Sequence, residues 1–542
     1  MMNVVQAIPL RVLKRYGGLL LFLTQLVVSP SLQSQQPRIA FTRTVSSAAH
    51  SIQPRSLSSV PDTVRVFAIM VDFQEDTDPR TTGNGRFNLQ PTNVRLIDPP
   101  PHDSAYFAYK LQFLENYFRK TSNGKLIVKG EVLGSRITLS KAMSAYSPAK
   151  DGSNDRPLAD LVVESWRRAD SLYPSIQFDR YHAFIIFHAG VGRDVDLVSL
   201  LGFDPTPSDI PSLYMGLPTL RRFLNDPSYA GVPVNNGAVR ITNTMILPET
   251  ETRIIESGGR PDTLQLGING LLASSFGSFL GLPDLFDTKT GRSAIGQFGL
   301  MDVASIFAFE GLFPPEPSAW EKIALGWATP VTLTAASQSI SLPAVGLTTT
   351  GDDVIYKVPI NSREYFLIEN RNRDPHRNGQ RLTVVESGQI ITRHFSKDTT
   401  GFSFGRGRGI TGNLIDVEDF DWALPGLFGT NEATEGGGIL IWHIDEDVIN
   451  RKLSVNEVNT DPARRGVALE EADGSLDIGQ SYGIFNAGLG SELGSPYDAW
   501  FEGNPIEIYK NVFDDTSIPN SKSNTGSRSL VSIGNFSRRG PT

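Results

Sequence analysis

Apolar residues along the chain fall into two textures, and the change comes near residue 330. TVRVFAIMVDF, Thr63 to Phe73, is an almost unbroken β-branched and apolar run, which predicts a strand buried on both faces. SAYFAYKLQFLENYFRKTSNGKL reads as a helix, because Phe107, Leu111, Leu114 and Phe118 recur at intervals of three and four. Asn123-Gly124 gives that helix its C-terminal stop. KLIVKGEVLG and SRITLS predict two strands, LADLVVESWRRADSLYP an amphipathic helix closed by Pro174, and YHAFIIFHAG a second buried-type strand. Residues 200–262, rich in Pro, Asn and Gly, predict surface loops, and a helix is expected over Thr263 to Leu280.

Beyond Thr329-Pro330 the pattern shortens. VIYKVPI, REYFLIENR, RLTVVES, GGILIWHID, GVALEEA and SLVSIGNF are short β-type runs divided by Gly, Asn and Asp turns, which predicts an all-β sandwich over 331–542. No repeat of fixed period is present.

A length of 542 residues fits two or three domains. A net charge of −8 gives none of the basic footprint a nucleic-acid partner requires. The absence of cysteine excludes disulfides, thiolate nucleophiles and cysteine-held metal sites. Arg11, Lys14 and Arg15 precede the apolar run GGLLLFLTQLVVSP and small residues at Ser29, Ser31 and Ser34. Those three parts predict a signal peptide over 1–34 and an exported protein, the apolar run being shorter than the roughly 20 residues that span a bilayer. Residues 35–61, rich in Ser, Gln, Pro and Arg, suit a linker or pro-segment. No later run is apolar enough to span a membrane, so the mature chain is expected to have no membrane span.

The helix before Gly281 carries the candidate chemistry. Ser274 and Ser278, four residues apart, share one face, and Gly281 and Asp284 follow at intervals of three. That is the frame of H-E-x-x-H-x-x-G-x-x-D, in which two histidines and a carboxylate hold zinc and the glutamate deprotonates the bound water. Here Ser274 and Ser278 stand at the histidine positions and Ser275 at the general base.

SSFGSFLGLPDLFDTKTGRSAIGQFGLMDVAS resembles the active-site segment of the immune inhibitor A-like secreted zinc metallopeptidases, a zincin family of motif H-E-F-G-H-x-L-G-L-P-D-L-Y-D. Met301 matches the methionine turn of that family, and PSAWEKIALGWATPVTL resembles the block after it. VRVFAIMVDF, FLENYFRKTSNGKLIVKGEVLG and YHAFIIFHAGVGRD resemble its earlier elements, and EYFLIENRNRD, GGGILIWHIDEDVI and GVALEEADGSLDIG its β-rich C-terminal module. The resemblance covers roughly residues 60 to 540 in one order. It implies an α+β architecture: a zincin-like peptidase domain over 62–330, then a β-sandwich over 331–542. Within it, Asp284 keeps the third-ligand position, and Gly281 and Met301 keep the structural positions beside the site.

A serine hydroxyl is neutral and short, a poor zinc ligand, and Ser275 has no carboxylate to accept a proton. Zinc is therefore not expected. Among the seven histidines, His50, His102, His182, His188, His376, His394 and His443, no pair has the i, i+4 spacing. GFSFG, Gly401 to Gly405, imitates a nucleophile elbow around Ser403 but lacks the helix that must follow. Gly407, Gly409 and Gly412 imitate a dinucleotide fingerprint without its βαβ setting. Three acidic runs, Asp72 to Asp78, Asp416 to Asp421 and Glu470 to Asp477, offer oxygen ligands of the kind calcium takes, and the resemblance implies structural calcium. Solvated acidic loops are the commoner outcome of such runs.

The expectation is an exported pseudopeptidase that binds a peptide or protein ligand, or a surface polymer. An active metallopeptidase using another metal site, and a purely structural surface protein, are the competing readings.

Overall fold

The computed structural model describes residues 62–149, 152–257, 260–334, 339–347, 353–395, 410–426, 436–482 and 491–542. The expected signal peptide and linker, His50, the Gly401–Gly405 run, Gly407 and Gly409 lie outside the described residues.

The fold is α+β. Its first sheet holds β1 (Thr63–Asp72), β2 (Ile127–Thr138), β3 (Ala183–Val191), β4 (Leu213–Gly216) and β5 (Asn243–Thr250), in the order β2-β1-β3-β5-β4. Four strands run parallel, and only the edge strand β4 is antiparallel. Helix α1 (Ser104–Thr121) connects β1 to β2, and helix α2 (Arg156–Leu172) connects β2 to β3, as parallel strands require. The two helices cover opposite faces. Phe184 meets Trp166 of α2 at 5.3 Å between ring centroids, and Phe187, an odd number of residues on, stacks on Phe107 of α1 at 4.3 Å. Covered on both faces, β3 is buried throughout, which is why its sequence is an apolar run without alternation.

Two expectations change here. The two strands expected from KLIVKGEVLG and SRITLS are one strand, β2, which absorbs an irregularity opposite Ala68/Met70 of β1. Residues 200–262, expected as loops, contain β4, β5, the helix Leu217–Leu224 and two small hairpins. Strand β5 is interior to the sheet, held by long-range pairing that the local Pro-containing sequence NTMILPET does not announce.

The second half contributes β6 (Val331–Thr332), β7 (Tyr356–Pro359), β8 (Glu364–Asn372), β9 (Gln380–Glu386), β10 (Gln389–Phe395), β11 (Asn413–Val417), β12 (Gly437–Asp445) and β13 (Val467–Leu469). They form a five-stranded sheet, β6-β7-β8-β12-β13, and a three-stranded sheet, β10-β9-β11. Period-two alternation sends the two faces of β8 and β12 to different cores. Tyr365, Leu367, Leu440, Trp442 and Ile444 join the main core, which runs on from Val64 to Phe501, whereas Phe366 and Ile441 pack with Trp500, Phe513 and Phe536.

The halves are tied closely. Asn116 Nδ2 of α1 donates to Ile415 O of β11 at 2.8 Å, and Lys120 pairs with Asp416 at 2.8 Å. Deeper, the fully buried Arg371 guanidinium grips Asp421 with two nitrogens and donates to Glu316 O at 2.9 Å and Phe298 O at 3.1 Å. Burial works against the Arg371 charge, but Asp421 and Glu369 outweigh it and hold its pKa above the usual value. Among the described residues, no helix is long and apolar enough to cross a membrane.

Candidate functional site

The serine-bearing helix, α3, spans Asn269–Leu280. It begins later than the expected Thr263, because Arg260–Leu264 is committed to a hairpin with Arg253–Ser257. All of its residues are buried, Leu272, Phe276 and Leu280 as well as the three serines. Phe276 packs on Phe118 of α1 at 4.8 Å, and Phe279 on Tyr214 of β4 at 6.3 Å. The helix stops at Gly281, whose φ of 107° is left-handed, with Leu282 N–H donating back to Gly277 O at 3.0 Å.

Ser274, Ser275 and Ser278 are 1%, 3% and 9% exposed. Ser278 Oγ donates to the Ser274 carbonyl at 3.4 Å, the one-turn relation their spacing predicts. Among the described residues the Ser274 and Ser275 hydroxyls have no hydrogen-bond partner. Met301 packs directly against this helix: a Cβ on Gly277 would lie 2.7 Å from its Sδ. The Met301 turn is fixed by Glu321, whose carboxylate accepts from Met301 N at 2.8 Å, Leu300 N at 3.1 Å and Ser318 N at 2.6 Å. Met301 O in turn accepts from Leu285 N at 2.8 Å, which links the turn to the segment that follows Gly281.

Asp284 is 4% exposed and is engaged by a residue from the other half of the chain. Asn456 donates through Nδ2 to Asp284 Oδ2 at 2.7 Å, and its Oδ1 accepts the Asp284 N–H at 2.9 Å. Thr288 Oγ1 donates to Asn456 O at 2.8 Å, and Asn459 Nδ2 to Leu285 O at 2.9 Å. Sequence reading had no signal for Asn456, since an asparagine 172 residues away belongs to no metal motif.

These residues do not fit zinc. Three neutral hydroxyls, one already bonded to backbone, and one carboxylate held by an amide do not make a zinc donor set. Buried unpartnered hydroxyls cost about 1–3 kcal/mol each. Ser275→Ala is therefore expected to raise stability by about 1 kcal/mol in chemical denaturation, and Ser274→Ala similarly. A loss on either substitution would mean that the hydroxyl has a partner.

Each described histidine has a hydrogen-bond partner within the chain. His102 Nδ1 meets Glu249 Oε1 at 2.7 Å, His182 Nδ1 accepts from Arg65 N at 3.0 Å, and His188 Nδ1 meets Ala189 O at 3.0 Å. His376 pairs with Asp419 at 3.0 Å, and His394 Nε2 meets Asn378 O at 2.6 Å. His443 lies between Glu364 and Glu470, 3.2 Å from each. Burial opposes its charge, but those two carboxylates raise its pKa to about 9.

In two of the three acidic runs several carboxylates take cationic partners within the chain. Asp72 takes Arg86 and Arg136, Asp78 takes Arg80, Asp416 takes Lys120, and Asp421 takes Arg371. The third run contributes Glu471 and Asp473, which meet Asp498 so that their carboxylate oxygens lie within 4.8 Å of one another. This is the one such group of metal-type ligands among the described residues, and it contains no histidine. Its oxygen-only set suits a hard cation such as calcium rather than zinc. Burial raises the pKa of Glu471 and of Asp498. Sequence reading missed Asp498, which joins from a separate turn segment.

No family model matches the chain, and no curated protein matches it.

Proposed function

We propose that the chain is an exported pseudopeptidase of the immune inhibitor A type, a zincin-like domain followed by a β-sandwich, with binding in place of zinc-dependent hydrolysis. The observation that carries this reading is the buried trio of Ser274, Ser275 and Ser278 where the motif requires two ligands and a base. The resemblance across roughly residues 60 to 540 supports the family, and the three substitutions argue against catalysis. A peptide or protein ligand, or a surface polymer, is the expected partner class. Calcium, which the resemblance implies, would find oxygen ligands at Glu471, Asp473 and Asp498.

The test is elemental analysis of the purified mature protein together with casein cleavage, with and without a chelator. The expected result is no stoichiometric zinc and no cleavage in either arm. Stoichiometric zinc with chelator-sensitive cleavage would overturn the pseudopeptidase reading in favour of an active enzyme using another site. Calcium found in the same assay should disappear in an Asp498→Asn variant.

A further inference from the structure

A second cluster of buried titratable groups lies at the carboxyl ends of β3 and β5, and the reading above makes no use of it. Asp194 and Glu251 are both fully buried there. Their carboxyl groups converge on Gly192: a Cβ at that glycine would lie 1.8 Å from Glu251 Oε1 and 2.8 Å from Asp194 Oδ2. Among the described residues no donor reaches Glu251 Oε1, and the group beside it across Gly192 is the Asp194 carboxyl. Two acceptor oxygens can bond only when one of them carries a proton.

Each carboxyl group holds a different strand end. Asp194 accepts from Ser212 N at 3.0 Å and from Ser212 Oγ at 2.7 Å, one residue before β4 begins. Glu251 Oε2 takes Arg253 Nη2 at 3.2 Å, and the same nitrogen donates to Gly192 O. Gly192 pairs with Ile210, and Arg193 N donates to Ile210 O at 3.1 Å. The groups facing the pair are Arg193 beside Asp194, Arg253 beyond β5, and Asp209 on the incoming segment, with His188 and Glu249 behind Asp194. Asp209 is itself buried and accepts from Thr82 N at 2.6 Å.

We propose that Glu251 and Asp194 share one proton in a buried clasp that pins segment 192–212 across the ends of β3 and β5, and that losing this proton loosens the segment. The segment leads directly into β4, the open edge of the first sheet, which packs beside α3. The device is thus a pH-sensitive hold on that edge, independent of whether the serine site ever bound metal.

The sign follows from linkage. Burial and then Asp194 raise the Glu251 pKa well above its ordinary value, against the opposing pull of Arg253. A raised folded-state pKa contributes stability that is complete below the unfolded value and is lost as pH rises through the folded one. Ionisation would then leave two negative charges over Gly192 in a dry site, which is strongly unfavourable.

Hydrogen exchange on the full-length protein, corrected for the intrinsic pH dependence of exchange, tests this at the Arg193 and Ser212 amides, with β1 amides as reference. Protection in the wild type should fall by up to about tenfold per pH unit as pH rises from the ordinary carboxyl range towards the raised folded value. Glu251→Gln, which keeps the shape of the protonated group and donates N–H to Asp194, should fold normally and remove that slope. A flat wild-type profile, or the same slope in Glu251→Gln, would overturn the proposal.

Discussion

An Arg371→Met variant should lose roughly 3–5 kcal/mol of stability, because removing one member of a buried ion pair strands the partner charge. Asp421 would keep its carboxylate beneath the fold without the guanidinium that grips it, and Glu316 O and Phe298 O would lose their donor. Asp421 and Glu369 lie beyond residue 330, whereas Glu316 and Phe298 lie before it, so the loss should appear as one cooperative shift in denaturation of the whole chain. Adding Asp421→Leu should recover much of it, since an apolar replacement of both partners is often close to neutral. A loss below about 1 kcal/mol, the worth of an exposed pair, would mean that the network does not join the halves.

The second large effect is a gain. The triple variant Ser274→His, Ser275→Glu and Ser278→His is expected to take up zinc that the wild type does not, with Asp284 supplying the third protein ligand. Because all three positions are buried, enlarging them carries a packing cost of about 1–3 kcal/mol each. The measurements are therefore metal stoichiometry and circular dichroism on the same sample. A folded triple variant without zinc would show that the register assigned to the serines and Asp284 is wrong. Should the triple variant not fold, Ser274→His with Ser278→His in the Ser275→Ala background keeps the question open to the same measurement.

Legibility in the sequence followed the range of the interaction. β1, β3 and α1 were readable because their signals are local: unbroken apolar runs, or apolar residues three and four apart. The end of α3 at Gly281 was readable for the same reason, since a glycine before Leu-Pro stops a helix. β5 was not, because NTMILPET gains its strand character from β3 and β4 on either side. The start of α3 was misplaced because the hairpin that claims Arg260–Leu264 is invisible to helical periodicity. Within the candidate site, the serines, Gly281, Asp284 and Met301 all came from one continuous stretch. Asn456 and Asp498 did not, and no spacing rule reaches them. The acidic runs were ambiguous until the structure showed which carboxylates take cationic partners and that Glu471 and Asp473 converge with Asp498.

The bond between Asn456 and Asp284 also constrains the order in which the molecule can be assembled. A nascent chain that has reached Leu285 already contains every residue of the serine helix, but the amide that holds Asp284 lies 172 residues further on. Closure over that span carries a loop entropy that shorter contacts do not, and contacts of such separation slow folding. That contact can therefore form only once residue 456 has been made, and a fragment cut short before it would leave the Asp284 carboxylate without its amide partner. Limited proteolysis in the second half would accordingly destabilise the first, although the cut lies far from it along the chain.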